Sequence, residues 1–175
     1  DWPWNKIDLM VISPGIAHKH PAPHPAAQLA AKHSVEVVNE IEIAMLAKPA
    51  ARIVGITGTN GKSTTTALVG HCLKAAGIAV AVGGNIGDAA CQMNDPGPEG
   101  VIVLELSSYQ LETTPSLRTD VSVVLNISPD HLDRHGGMDG YVAAKAQILQ
   151  ALRGRGLAIL GEGDAYVRSF AAAQA

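Results

Sequence analysis

The residues with the clearest chemical potential are G-T-N-G-K-S at 58–63, directly after an apolar β-branched run and directly before a helical pattern. Gly58 and Gly61 let backbone N–H groups turn inward around an anion, and the N-terminus of the following helix adds its partial positive charge. The segment Gly58, Thr59, Asn60, Gly61, Lys62, Ser63, Thr64 is therefore the candidate phosphate cradle. Lys62 can reach terminal phosphates, and the Ser63 hydroxyl can ligate Mg²⁺. The strict pattern G-x-x-x-x-G-K-[ST] needs glycine at position 56, where this chain has Ile56, so the loop is a variant. The competing account is a glycine-rich turn capping a helix, with Lys62 solvated. Three further groups are candidates. Glu105 is the lone carboxylate in V-I-V-L-E-L, and burying a charge there demands a partner, which nucleotide-bound Mg²⁺ would supply. His131 sits in D-H-L-D-R-H-G, with Asp130 placed to orient its imidazole toward a metal or a phosphate. Lys145 lies among small residues in Y-V-A-A-K-A-Q-I, where desolvation would favour the neutral amine, although a helical lysine taken alone is ordinarily a solvated charge. Ser107, Ser108 and Gln110 follow Glu105 as polar groups expected to face the same cleft.

Positioning such groups requires strands ending at one edge. Strands are expected over 8–13, 35–38, 52–57, 78–82, 101–106, 121–127 and 157–160, and helices over 25–33, 40–47, 62–76, 138–152 and 164–173. Strands apolar on both faces, alternating with helices, predict an α/β fold with a mostly parallel sheet flanked by helices. Ligands in such sheets gather beyond the carboxyl ends of the strands. The phosphate loop, Glu105 and His131 all fall at such ends. The composition shift at 48–51, with Pro49, is the expected domain boundary. His135 and the early cluster His18, His20, His24 and His33, interleaved by prolines, are read as solvated spectators.

Composition excludes several classes. With 47% hydrophobic and 17% charged residues the chain can bury a core and is not disordered. A net charge of −3 and 3% aromatics argue against a nucleic-acid partner, which needs a basic field or stacking platforms. Cys72 and Cys91 make neither a disulfide framework nor a zinc pattern and suit a reducing, cytoplasmic compartment. No apolar run approaches the ~18 residues of a membrane span, so no membrane partner is expected. The chain opens without Met and ends in A-A-A-Q-A, so both ends look cut.

Taken together, I-T-G-T-N-G-K-S-T-T, G-G-N-I-G, L-E-L-S-S-Y-Q-L-E and D-H-L-D-R-H-G followed by Y-x-x-A-K resemble the Mur ligase family over nearly the whole chain. The phosphate loop alone would fit the wider family, including folylpolyglutamate synthases. S-P-G-I at 13–16 and S-S-Y-Q-L-E-T resemble the branch that adds D-glutamate to UDP-N-acetylmuramoyl-L-alanine. The resemblance implies that residues 1–48 are the end of a Rossmann-like, UDP-sugar-binding N-terminal domain. Residues 49–175 would be most of an ATP-binding central domain, with a glutamate-binding C-terminal domain absent, so that the fragment alone lacks efficient ligation. It implies ATP, two Mg²⁺ ions, an acyl-phosphate intermediate and a monomeric full-length enzyme of peptidoglycan precursor synthesis. Carried over residue by residue, Lys62, His131 and Lys145 are catalytic. Ser63 and Glu105 hold one metal, and His131 and a carbamylated Lys145 serve the other. Gly15, Asn85, Ser107, Gln110 and His131 line the sugar-nucleotide site, and Tyr109 stands where the family pattern has Phe. Another Mur ligase or a folylpolyglutamate synthase is the near alternative. A non-catalytic phosphate-loop module is the alternative of a different class, and it would not need Glu105, His131 and Lys145.

Overall fold

The computed structural model describes residues 2–47 and 49–173; Lys48, at the expected boundary, lies outside the described residues. The chain begins with a short 3-10 turn at Trp4–Lys6, then β1 (Leu9–Val11), α1 (Pro25–Lys32), β2 (Glu36–Val38) and α2 (Glu40–Leu46). β1 and β2 form a two-stranded parallel sheet. There follow β3 (Arg52–Thr57), α3 (Lys62–Ala75), β4 (Val80–Gly84), β5 (Val101–Glu105), α4 (Ser108–Glu112), β6 (Thr119–Val124), α5 (Leu132–His135), α6 (Met138–Gln150), β7 (Leu152–Leu160) and α7 (Ala165–Ala173). The second sheet has the order β4-β5-β3-β6-β7, and every pairing in it is parallel.

The two-residue period of the strands builds the layers. On one face Ile53, Leu104 and Val124 pack with Tyr141 and Ile148 of α6. On the other, Ile56, Val103 and Val123 pack against Val69 and Leu73 of α3. β5 is buried along its whole length, as a central parallel strand covered on both faces must be. Leu104, fully buried, contributes about 2 kcal/mol by removal from water alone. Ile41 and Met45 of α2 join this larger core, whereas Met10, Ala27, Ala30 and Val35 form a smaller one around β1 and α1.

Local chemistry accounts for the helix starts. Asn39 caps α2, its side chain accepting from the Ile41 N–H at 2.8 Å, and Glu40 and Glu42 complement the helix dipole. Ser107 and Gln110 form a capping box on α4. His24 caps α1 ahead of Pro25. The expected strand at 121–127 begins earlier and ends at Val124, freeing 125–131 as the loop that carries Asn126 and His131. The expected strand at 157–160 extends back to Leu152, which pairs with Thr119; after a register shift across the segment holding Gly154 and Gly156, the pairing with β6 resumes at Leu157. α4 and α5 are additional elements, each too short to show helical periodicity.

Candidate functional site

The carboxyl ends of β3, β5 and β6 lie side by side, since Ile56 pairs with Glu105 and Thr57 with Val124. The loop after β3 is held open by backbone geometry. Gly58 has φ 156°, and a Cβ there would meet Leu125 Cβ at 3.0 Å. Gly61 begins α3 in the left-handed region, with φ 81° and no side-chain cap, leaving the helix N-terminus available to an anion. Groups from the loop after β6 and from α6 pin this turn. The Asn60 N–H donates to Asn126 Oδ1 at 2.8 Å, and Asn126 Nδ2 donates to the Asn60 carbonyl at 3.0 Å. Thr59 Oγ1 donates to the Ser128 carbonyl at 3.1 Å and lies 2.9 Å from the Tyr141 hydroxyl. Lys62 Nζ folds back on the Thr59 carbonyl at 2.9 Å, while Ser63 and Thr64 are exposed at the helix start.

Glu105 is 1% exposed. Asn85 Nδ2 donates to its Oε1 at 2.8 Å, and the Asn85 N–H donates to its backbone carbonyl at 2.9 Å. Its Oε2 is buried without a hydrogen-bond partner, an arrangement that costs free energy unless something else engages it. Gly84 (φ 101°) packs against the Glu105 backbone so tightly that a Cβ would overlap the Glu105 carbonyl oxygen. That close approach brings Asn85 onto the carboxylate.

Lys145 is 2% exposed. Its Nζ donates to the Gly58 carbonyl at 2.8 Å, lies 3.5 Å from Thr57 Oγ1 and sits 4.8 Å from the centre of the Tyr141 ring. Tyr141 and Lys145 stand four residues apart, on one face of α6. Burial, reinforced by the Lys62 charge and only partly opposed by Asp130, pushes the Lys145 ammonium down from 10.5 to about 7. The amine is thus substantially neutral near pH 7. Burial also raises the Tyr141 phenol, against the Thr59 contact, so it stays protonated.

His131 stands apart from this packed group. It opens α5 in the left-handed region (φ 51°), its side chain is 55% exposed, and its Nε2 lies 3.5 Å from Asp130 Oδ2. Its ring lies 5.3 Å from that of Tyr109. Among the described residues no group of three or more His, Cys, Asp or Glu side chains is placed to hold a metal. The described residues therefore offer no closed protein cage. Mg²⁺ characteristically takes only one or two protein carboxylates and fills the rest of its octahedron with water and phosphate oxygens. The orphaned Glu105 Oε2 beside an anion loop fits that pattern.

Asn85 and Gln110 line a cleft of about 430 Å³ together with Ser13, Pro14 and Glu40. The Gln110 side chain is already engaged: its Oε1 accepts from the Ser107 N–H at 3.0 Å and its Nε2 donates to Glu40 at 3.0 Å. Gly15 lies on the turn beside this cleft, and a Cβ there would meet only Ser13 Oγ, at 4.0 Å. The expectations for three residues are corrected. Ser108 does not face the cleft; it is buried, 2.9 Å from His135 Nε2. His135 is no spectator, because its side chain is fully buried beside Glu112 and the Tyr109 and Tyr141 rings. Nor is His18 solvated; it is 13% exposed and 3.9 Å from Glu112. Asn126, Tyr141 and Arg134 were not singled out as site residues. Tyr141 could have been, from its four-residue spacing to Lys145.

The sequence profile of the Mur ligase middle domain matches residues 56–175. The chain belongs to the Mur ligase family. Its likeness extends to UDP-N-acetylmuramoylalanine–D-glutamate ligases. That of Paramagnetospirillum magneticum is 49% identical over 170 residues, covering 97% of this chain and 37% of the relative. That of Rhodospirillum rubrum is 52% identical over 158 residues, covering 90% and 33%. The chain thus spans about a third of the length of these Mur ligases. Among solved structures, UDP-N-acetylmuramate:L-alanyl-γ-D-glutamyl-meso-diaminopimelate ligase from Neisseria meningitides superposes with a TM-score of 0.64 at 16% identity, over 95% of this chain and 55% of that one. MurF ligase from Thermotoga maritima in complex with ADP gives 0.53 at 18%, over 89% and 43%. At those identities they show the shared Mur ligase fold, a parallel sheet between helices.

Proposed function

We propose that this chain is the nucleotide-binding heart of an ATP-dependent amide ligase that adds D-glutamate to UDP-N-acetylmuramoyl-L-alanine in peptidoglycan precursor synthesis. Residues 1–48 are the end of its UDP-sugar-binding domain and 49–175 its ATP-binding domain. D-glutamate contacts are assigned to regions beyond this chain, which spans about a third of the length of its relatives. The observation that carries the reading is Lys145. Folding brings its amine across 87 residues of sequence to the Gly58 carbonyl, inside the phosphate loop, and buries it there. A loop that only held nucleotide would not require a desolvated amine at that spot.

In this reading the N–H groups of Gly61, Lys62 and Ser63 at the start of α3 and the Lys62 ammonium hold the ATP phosphates, with Asn126 fixing the Asn60 N–H in the loop wall and Lys62 released from the Thr59 carbonyl to reach the γ-phosphate. A carboxylate oxygen of the muramoyl-alanine attacks the γ-phosphorus, forming a P–O bond as the bond to ADP breaks. The amine of D-glutamate then attacks the acyl carbon, phosphate leaves, and the amide forms with loss of the amine's proton. Gly15, Asn85, Ser107, Gln110 and His131 position the muramoyl-alanine along the 430 Å³ cleft and its rim. Ser63 and Glu105 would hold one Mg²⁺, and His131 with Lys145 the other. Bound magnesium would neutralise the crowded phosphate charge. Lys145 serves as a carbamate, formed when its neutral amine adds to carbon dioxide and sheds a proton. That step requires the amine to leave the Gly58 carbonyl. The test is ATP-dependent phosphate release by the full gene product with UDP-N-acetylmuramoyl-L-alanine and a panel of amino acids. D-glutamate is expected to give the highest rate. A diamino acid, glycine or L-alanine winning would move the protein to another branch of the family, and no acceptor-dependent turnover would leave a nucleotide-binding module.

A further inference from the structure

Arg134 is unassigned in the chemistry above, yet it is the link between the α4–α5 side of the site and the S-P-G-I turn. Its Nη1 donates to the Gly15 carbonyl at 2.8 Å and its Nη2 to the Pro14 carbonyl at 3.3 Å. The guanidinium lies 4.5 Å above the centre of the Tyr109 ring, which fixes its plane. The Ile16 N–H closes the turn by donating to the Ser13 carbonyl at 2.9 Å. Two residues on, His18 meets Glu112 at 3.9 Å, and Glu112 meets the buried His135 at 3.4 Å. The centre of the turn and the chain just after it are thus held by residues of α5 and α4.

We infer that Arg134 is a positioning residue that aims the Gly15 N–H at the sugar nucleotide. A trans peptide points its C=O and its N–H in opposite directions. Drawing the Pro14 carbonyl onto Arg134 therefore turns the Gly15 N–H away from α5, and Pro14 has no N–H of its own to compete for an acceptor. The Gly15 N–H has no backbone acceptor among the described residues, and a side chain at position 15 would meet nothing closer than 4.0 Å. A free donor on an open glycine suits one phosphate of a diphosphate. This inference rests on the UDP-sugar assignment made above.

The test compares wild type, Arg134→Met and Arg134→Lys in the full gene product. Arg134→Met is expected to raise KM for the UDP-sugar about tenfold, the scale of one lost charge-assisted hydrogen bond, while KM for ATP and kcat stay within twofold. Arg134→Lys, with a point charge in place of the fork, should fall between. Unchanged sugar KM in Arg134→Met, or an equal rise in the ATP KM, overturns the inference while leaving the ligase reading intact. Absence of sugar-dependent turnover in wild type sinks the ligase reading instead. The positioning itself is then read by amide hydrogen exchange in the 175-residue chain. Arg134→Met should speed exchange at Ile16 about tenfold, and exchange unchanged from wild type refutes it.

Discussion

Replacing Lys145 by Met should change how stability responds to pH, in a direction fixed by burial. In the folded chain Lys145 releases its proton near 7, against an ordinary 10.5. Unfolding therefore takes up a proton anywhere between those values, and stability rises with pH across that window. The cost of keeping this amine folded is about 4 kcal/mol at pH 7, about 2 kcal/mol at pH 9 and nothing above 10.5. With the side chain 2% exposed, solvent screening does little to reduce it. Lys145→Met removes the titrating group while keeping most of the aliphatic volume. It also deprives the Gly58 carbonyl of its donor, but that loss is the same at every pH. The assay is urea unfolding of both proteins at pH 7, 8 and 9 in bicarbonate-free buffer without metal, so that the amine stays unmodified. The wild type should gain about 2 kcal/mol relative to the Lys145→Met variant between pH 7 and 9, since contributions from all other groups cancel in the difference. Parallel stability curves over that interval would refute the idea that this lysine is held desolvated.

Glu105→Gln should stabilise the metal-free chain by about 1 kcal/mol, because the variant removes a buried charge whose Oε2 has no partner. It should also weaken Mg²⁺-dependent ATP binding at least tenfold in calorimetry; a destabilised variant with wild-type affinity contradicts both. Tyr141→Phe deletes the hydroxyl 2.9 Å from Thr59 Oγ1 but keeps the ring beneath Lys145. It should cost about 1 kcal/mol in urea unfolding and loosen nucleotide binding severalfold. For Glu112, burial works to raise the carboxyl, but His135, His18 and Lys19 outweigh it and hold it below 4.5. Its contribution is therefore present above pH 4.5 and lost as pH falls through the lower folded value, so the stability gap between wild type and Glu112→Gln should shrink under acid titration. A gap that widens below pH 4.5 contradicts that sign.

The sheet and the phosphate loop were legible because their signals are local. An apolar β-branched run at Arg52–Thr57 meets Gly58, Gly61 and a helical pattern at once, and β3 and the start of α3 fall at the expected residues. Glu105 stood out because one carboxylate interrupts an apolar strand that burial on both faces explains. The α4–α5 region was less legible. Neither helix is long enough to show a period, although Ser107 and Gln110 do carry the spacing of a capping box. His135 looked like a surface residue, since nothing in its neighbours reveals that Tyr109, Glu112 and Tyr141, from other parts of the chain, enclose it. Likewise Arg134 acquires its role only through tertiary contact with Pro14 and Gly15. His131 was legible as a residue type, but neither its left-handed backbone at the start of α5 nor its exposure was announced by sequence alone.

The most direct measurement is a crystal structure of this chain with Mg²⁺ and a non-hydrolysable ATP analogue. The account predicts phosphates seated on the N–H groups of Gly61–Ser63, Lys62 swung from the Thr59 carbonyl to the terminal phosphate, and a metal about 2.1 Å from Glu105 Oε2. Nucleotide bound away from the loop, or a phosphate-bound metal that leaves Glu105 Oε2 unengaged, would contradict it.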